Sequence, residues 1–157
     1  MDWERLQRHL ISGFKLGNFS AHDQDHWRRV ERYGMYLAPI NGADIIIVRL
    51  FAWLHDSQRE SDGHDPLHGE RAELIARTLC GDFFQLEPHR LELLALACRD
   101  HEKGRLTEDP TVGTCWDSDR LDLDRVGKTP DPQYLSTASA RELARLRPAD
   151  RRREAGC

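Results

Sequence analysis

The chain has 157 residues, 32% of them charged, and a formal net charge of -4. This length fits one domain with a hydrophobic core of its own, and the weakly acidic charge is not typical of proteins that bind a nucleic acid duplex. No apolar stretch approaches the ~20 residues that span a bilayer, and the charged residues at 1–5 do not resemble a signal peptide, so we expect no membrane partner. The four cysteines show no CxxC spacing, which favours free thiols and a cytoplasmic location.

Helical spacing of apolar residues predicts an all-α fold, a compact single-domain bundle of about six to seven helices. The first helix is predicted near residues 3–14. Ser20, with Asp23 three residues later, resembles a capping box and predicts the start of the second helix. We expect that helix to end near Leu37, before Pro39, because proline disfavours a helical residue before it.

The segment 43–56 is apolar on nearly every side and ends in the pair His55-Asp56. Its β-branched residues also suit a buried strand, but its length and the lack of a partner strand favour a central buried helix. Burying an imidazole and a carboxylate is costly unless the two groups are paired or bound to a metal. The segment therefore predicts a cation beside His55 and Asp56.

The remaining helices are shorter. We expect a polar loop at 57–66, helices near 72–79 and 91–98, a loop at 102–114, a short helix near 118–126 and a last helix near 139–146. One domain should then cover residues 1–147. Residues 148–157 are rich in charge, and we expect them to form a disordered tail.

Several polar side chains share the core-facing side of their helices, at spacings of three or four residues from apolar neighbours. They are His26, His68, His101 and Asp119. A single His on an apolar face is more often a hydrogen-bonded core residue than a metal ligand. Repetition of the pattern on separate helices favours a shared site. Imidazole with carboxylate suits Mn, Fe, Co, Ni or Zn, whereas carboxylate with water suits Mg.

In these residues the chain resembles the HD-domain metal-dependent phosphohydrolase superfamily, whose pattern is a His, a His-Asp pair and a distant Asp, all on helices. The first His matches His26 in the segment 22–30. The pair matches His55-Asp56, and the last Asp matches Asp119 in the segment 117–122. The resemblance covers roughly residues 20–127. It implies an all-α HD-type fold, a divalent ion held by these four residues, and usually phosphoester hydrolysis.

Some members of this superfamily hold a second metal on two further His residues, and His68 and His101 match that order. The segment from the His-Asp pair to His68 is shorter than in the two-metal cyclic-dinucleotide phosphodiesterases, and their Gly-Tyr-Pro signature is missing. We therefore expect one ion, with His68 and His101 contacting substrate phosphate or a water on the metal. A second ion on His68 and His101 is the alternative.

The resemblance implies hydrolysis of a small phosphoester, with a nucleotide as one candidate, by a water that the metal activates. Asp56 is a candidate to guide that water. Candidates to hold the phosphate by charge-assisted hydrogen bonds are Arg59, Lys103 and Arg120. For Lys103, a solvated surface cation is the favoured interpretation.

Two neighbours of the proposed ligands have more than one interpretation. Asp122 would either orient an imidazole N–H or pair with Arg125. His22 stands one helical turn before His26, so the two could face the same ion, but we expect His22 at the rim of the pocket or exposed.

Two other functions are compatible with the pattern. Some relatives with two irons perform oxygenase chemistry, and iron content with O2 uptake would support that function. A non-catalytic nucleotide-binding or regulatory module with a structural metal is the other. The full set of inward-facing ligands argues against it.

Overall fold

The computed structural model describes residues 1–157 and is built from helices without a sheet. The α-helices are α1 (Trp3–Gly13), α2 (Gln24–Asn41), α3 (Ile45–Leu54), α4 (His68–Leu79), α5 (Pro88–Asp100), α6 (Pro110–Arg120), α7 (Ala138–Ala144) and α8 (Pro148–Glu154). Two short 3-10 helices, Leu123–Val126 and Pro132–Tyr134, lie between α6 and α7. The all-α expectation is confirmed. None of the helices combines the length and the apolar character needed to cross a membrane.

Helix α3 is the centre of the bundle, as the sequence predicts. It packs against α2, α5 and α6, and seven of its ten residues are buried. Asp44 caps its N-terminus by accepting hydrogen bonds from the amides of Ile46 and Ile47, and it also pairs with Arg90 of α5. The helix ends at Leu54, so His55 and Asp56 lie in the turn that directly follows it.

Two glycines let neighbouring helices approach closely. A Cβ atom at Gly34 of α2 would lie 2.5 Å from Cγ1 of Val48 in α3. A Cβ atom at Gly69 of α4 would collide with the backbone carbonyl of Arg99 in α5. The second contact holds the start of α4 against the end of α5, which brings His68 close to His101.

Helix α2 differs from the sequence expectation at both ends. Its N-cap is Asp23, whose carboxylate accepts from the amides of Asp25 and His26, so the cap is not Ser20. The helix also continues past Pro39 to Asn41, because a proline in the last turn removes only one backbone donor and Gly42 then ends the helix in a left-handed conformation.

Helix α6 begins at Pro110, within the segment expected to be a loop, and the helix expected near 118–126 is divided between α6 and a 3-10 turn. Asp109 caps α6, and Pro110 occupies the first helical position, where its missing N–H costs nothing. Asp119 therefore sits in the last turn of α6. It does not continue an apolar helical stripe, since Leu123 is partly exposed and Val126 exposed.

The segment expected to be a disordered tail contains helix α8, which corrects that expectation. Arg151 is 1% exposed, and its guanidinium donates to the carbonyls of Ala144 and Leu146. Arg152 pairs with Asp124 in the first 3-10 turn. Their alkyl stems can pack against apolar surface while the charged groups find partners, so a run of arginines need not be disordered.

Candidate metal centre

The polar side chains that the sequence places on core-facing positions converge where helix ends meet. His26 lies in the first turn of α2, and His55 and Asp56 directly follow α3. His68 is at the start of α4, His101 directly follows α5, and Asp119 lies near the end of α6. Five helices therefore contribute to one buried region.

A first donor cluster combines His26, His55 and Asp119. The Nε2 atoms of His26 and His55 are 3.1 Å apart, and Oδ1 of Asp119 lies 3.3 Å from the first and 3.8 Å from the second. Oδ2 of Asp56 approaches the same Nε2 atoms at 3.6 and 3.5 Å. These four side chains are the ligand set that the resemblance implies.

A second donor cluster combines Asp56, His68 and His101. The Nε2 atoms of His68 and His101 are 2.9 Å apart, and Oδ1 of Asp56 lies 3.4 and 3.5 Å from them. The two oxygens of Asp56 thus face different clusters. This carboxylate connects the two groups of donors.

Each of the four imidazoles has its Nδ1 atom next to an oxygen that can only accept a hydrogen bond. Nδ1 of His26 faces Oδ2 of Asp122, and Nδ1 of His55 faces the carbonyls of Phe51 and Ala52. Nδ1 of His68 faces the carbonyl of Asp65, and Nδ1 of His101 faces the carbonyl of Cys98. Nδ1 must therefore carry the proton, and in the neutral ring Nε2 carries a lone pair. Lone pairs that face each other at about 3 Å repel unless a cation lies among them. The donor set fits a divalent metal.

The electrostatics of the first cluster also favour a cation. Burial lowers the pKa of His55 to about 3, which keeps its ring neutral and its lone pair available. Burial opposes charge on His26 as well, but hydrogen bonds to Asp119 and Asp122 raise its pKa. For Asp119, burial raises the pKa, yet His26, His55 and Arg125 together hold it below its usual range. The carboxylates remain ionised beside imidazoles and attract positive charge.

A cavity of about 270 Å³ opens onto both clusters, and arginines line its wall. Arg59 is 7% exposed, and its Nη1 donates to Nε2 of His68 at 3.0 Å while the rest of its guanidinium bonds the carbonyls of Ser61 and Gly63. Arg120 also lines the cavity. The structure therefore brings Arg59 and Arg120 to the site, as the sequence predicts.

Lys103 does not belong to this wall. Its ammonium group bonds Oδ1 of Asp100 at 2.9 Å, and Asp100 also pairs with Arg99 and Arg105. Lys103 is exposed and helps to fix the turn after α5, which agrees with its favoured interpretation as a surface cation and not with a role as a phosphate ligand.

Sequence reasoning undervalued two side chains. His22 lines the cavity, and its Nδ1 lies 2.8 Å from Oδ2 of Asp56. Arg125 lines it too, with Nη2 3.3 Å from Nδ1 of His22. The four-residue spacing from His22 to His26 was the available signal for the first. No pattern in the sequence indicated Arg125. Both interpretations of Asp122 find support, because Oδ2 of Asp122 lies 2.8 Å from Nδ1 of His26 and 3.9 Å from Nε of Arg125.

A scan against models of protein families and a search of curated proteins found no match. Among solved structures, the chain is similar to a predicted HD superfamily hydrolase from an uncultured Thermotogales bacterium. The two are 24% identical, with a TM-score of 0.72, and the match covers 95% of this chain and 84% of the other. At this identity the similarity concerns the fold. Together with the converging His and Asp side chains, it shows that this chain has the HD-domain fold.

Proposed function

We propose that this protein is a metal-dependent phosphohydrolase that cleaves a small phosphoester, with nucleotides among the candidate substrates. The observation that carries the proposal is the convergence of four Nε2 atoms and two carboxylates at one end of the bundle, in a cavity whose wall is rich in arginine. The similar Thermotogales protein is described as a predicted hydrolase, which agrees with this chemistry.

The first cluster, His26, His55, Asp56 and Asp119, would hold one ion of Mn, Fe, Co, Ni or Zn, or Mg. When bound, the ion would supply a water of lowered pKa and would neutralise negative charge on the phosphate. We propose one tightly held ion. The cluster of Asp56, His68 and His101 supports a second ion as the alternative, and the guanidinium of Arg59 beside His68 opposes it.

The side chains of the wall would bind and orient the substrate. Arg59, Arg120 and Arg125 can donate charge-assisted hydrogen bonds to phosphate oxygens. Asp56 can guide the attacking water by accepting a hydrogen bond from it, because its Oδ1 faces away from the first cluster and can stay free of an ion bound there. His68 and His101 would contact the phosphate if only one ion is bound.

A second candidate is a two-iron oxygenase, and the observation that favours it is the sharing of Asp56 between two donor clusters. A protein purified with two irons that consumes O2 with an organic substrate, and that releases no phosphate, would establish that function. A regulatory module with a structural metal remains a third candidate. It would keep its metal and turn over no substrate.

The test combines metal analysis of freshly purified protein with a screen of phosphorylated metabolites under added Mn, Co, Ni, Zn or Mg. We expect phosphate release from the wild type, and loss of both bound metal and turnover in Asp56→Ala. The matched control is Asp25→Ala, which removes an exposed carboxylate that pairs only with Arg28. Unchanged phosphoester turnover in Asp56→Ala, with the fold intact by circular dichroism, would exclude hydrolysis at this site.

A further inference from the structure

A second cavity adjoins the metal centre. It measures about 310 Å³, and three residues, Gly104, Arg120 and Leu123, line both cavities. Its remaining wall comes from the segment 128–134, which follows the first 3-10 turn. A substrate whose phosphate lies at the metal centre therefore has room for its organic half in this adjoining cavity.

The charged side chains of the second cavity differ from those of the first. It contains no imidazole, and its one carboxylate, Asp131, already accepts hydrogen bonds from the backbone and side-chain amides of Gln133. Lys128 is exposed and its side chain has no partner in the chain. The cavity therefore offers an unpaired ammonium group and lacks the donor set of a metal site.

Arg120 lies at the junction of the two cavities and is 9% exposed. Its Nη1 donates to the carbonyl of Tyr134 at 2.7 Å and its Nη2 to the carbonyl of His101 at 3.5 Å. These hydrogen-bond partners are neutral carbonyls. The carboxylate of Asp117 also acts on the guanidinium, but it accepts its hydrogen bonds from the amides of Ser136 and Thr137. The neighbouring carboxylate of Asp119 belongs to the first donor cluster.

The backbone fixes the position of Lys128. Gly127 ends the 3-10 turn in a left-handed conformation, with φ of 74°. The amide of Lys128 then donates to the carbonyl of Leu123 at 3.2 Å. Because Leu123 lines both cavities, this bond fixes the backbone of Lys128 beside them, and its flexible side chain can reach an anion in the second cavity.

We infer that the adjoining cavity binds a second anionic group of the substrate, with Lys128 and Arg120 as its cations. This inference rests on the proposed function and narrows it: the substrate is a phosphoester whose leaving group carries a carboxylate or a further phosphate. Contacts with a group remote from the reacting phosphorus strengthen binding of the substrate, so Lys128 is a specificity residue and acts mainly through KM.

Binding of two non-hydrolysable compounds tests this inference without turnover. Phosphonobutyrate and butylphosphonate share a phosphonate and differ in a terminal carboxylate. By calorimetry on the metal-loaded protein we expect phosphonobutyrate to bind about tenfold more tightly, the strength of one charged hydrogen bond. Lys128→Gln should reduce this preference several-fold, because only Arg120 then remains to bind the carboxylate. The control Lys103→Gln, in the neighbouring turn but outside both cavities, should retain it.

Equal affinities for the two compounds in the wild type would overturn the inference. A preference that Lys128→Gln leaves undiminished would overturn it as well, because the lysine would then make no contact with the carboxylate. Hydrolysis gives a separate readout, in which phosphoglycerate should exceed glycerol phosphate in kcat/KM. If the phosphonate preference holds but no phosphoester is cleaved, the proposed function fails and the anion site stands.

Discussion

His26 and Asp122 form a fully buried hydrogen bond, in which Nδ1 of the imidazole lies 2.8 Å from Oδ2 of the carboxylate. This bond places the proton on Nδ1 and turns the lone pair of Nε2 toward the donor cluster. Arg29 donates to the same carboxylate, which keeps it ionised and in position. Asp122 is therefore a positioning residue for a proposed metal ligand.

Asp122→Ala should lower the affinity of the centre for its metal by about 10–100-fold, because the ring of His26 loses the partner that orients it. Competition with a chelator measures the affinity. Asp122→Asn should cause a smaller loss, since its amide oxygen can still accept from Nδ1. A metal affinity equal to that of the wild type in Asp122→Ala would show that the ring does not need this partner.

Arg59→Met should increase the affinity of the second cluster for a divalent ion by about tenfold, because it removes a positive charge next to His68. Titration with metal, followed by counting the ions bound per chain, provides the measurement. Arg59→Lys keeps the charge and is the matched control, for which we expect the count of the wild type. The same metal content in all three proteins would mean that Arg59 does not oppose a second ion.

Gly69→Ala should destabilise the protein by about 1–3 kcal/mol, the usual range for an added methyl group in a packed contact. The new Cβ atom would meet the carbonyl of Arg99, a backbone atom that moves only if α4 and α5 separate. Gly13→Ala is the control, because a Cβ atom there has no neighbour within 4 Å. Chemical denaturation of both variants measures the difference. Equal stability would show that the two helices can adjust without loss.

Asp44→Asn should reduce stability at neutral pH and have no effect in acid. Burial opposes the charge of Asp44, but bonds to Arg90 and to the amides of the first turn of α3 lower its pKa. A group whose pKa is lowered on folding stabilises the protein above its unfolded pKa and loses this contribution as pH falls through the folded value. The difference in unfolding free energy between wild type and variant should therefore begin to shrink below about pH 4 and close only below the lowered pKa of the folded state.

Asp44→Ala also removes the cap, so it should cost about 1 kcal/mol more than Asp44→Asn, in which the side-chain oxygen can still accept from the helix amides. A gap between wild type and Asp44→Asn that stays constant from pH 7 to pH 3 would contradict the role of the ion pair.

The sequence predicted most of the fold because its strongest signals are local. Helical spacing of apolar residues located α1 to α5, and the continuous apolar run 43–56 identified the central helix α3. The local signals gave wrong predictions at one proline and at one charged segment, because a proline can begin a helix as well as interrupt one, and a charged segment can be folded as well as disordered. Pro110 begins a helix where a loop was expected, and the arginine-rich segment near Arg151 folds onto the bundle.

The identity of most donor residues was also present in the sequence, since three imidazoles stand at core-facing positions and the pair His55-Asp56 ends the most apolar segment. Asp119 was identified by the family resemblance, because the apolar stripe expected beside it did not form. The distances between these donor side chains could not be predicted from the sequence. Only the packing of α4 on α5 brings His68 within 2.9 Å of His101 and turns the two oxygens of Asp56 toward different clusters. The placing of Arg125 in the cavity wall and the pairing of Lys103 with Asp100 are likewise tertiary.

The physical reason is the range of the interactions. Periodicity and capping depend on neighbours within one helical turn, so the sequence by itself determined which residues face inward and that the chain is helical. Distances between side chains on different helices depend on how closely those helices pack, which close contacts such as that of Gly69 with Arg99 set. The tertiary structure alone therefore decided which donors lie close enough to share an ion and which cations line the cavity.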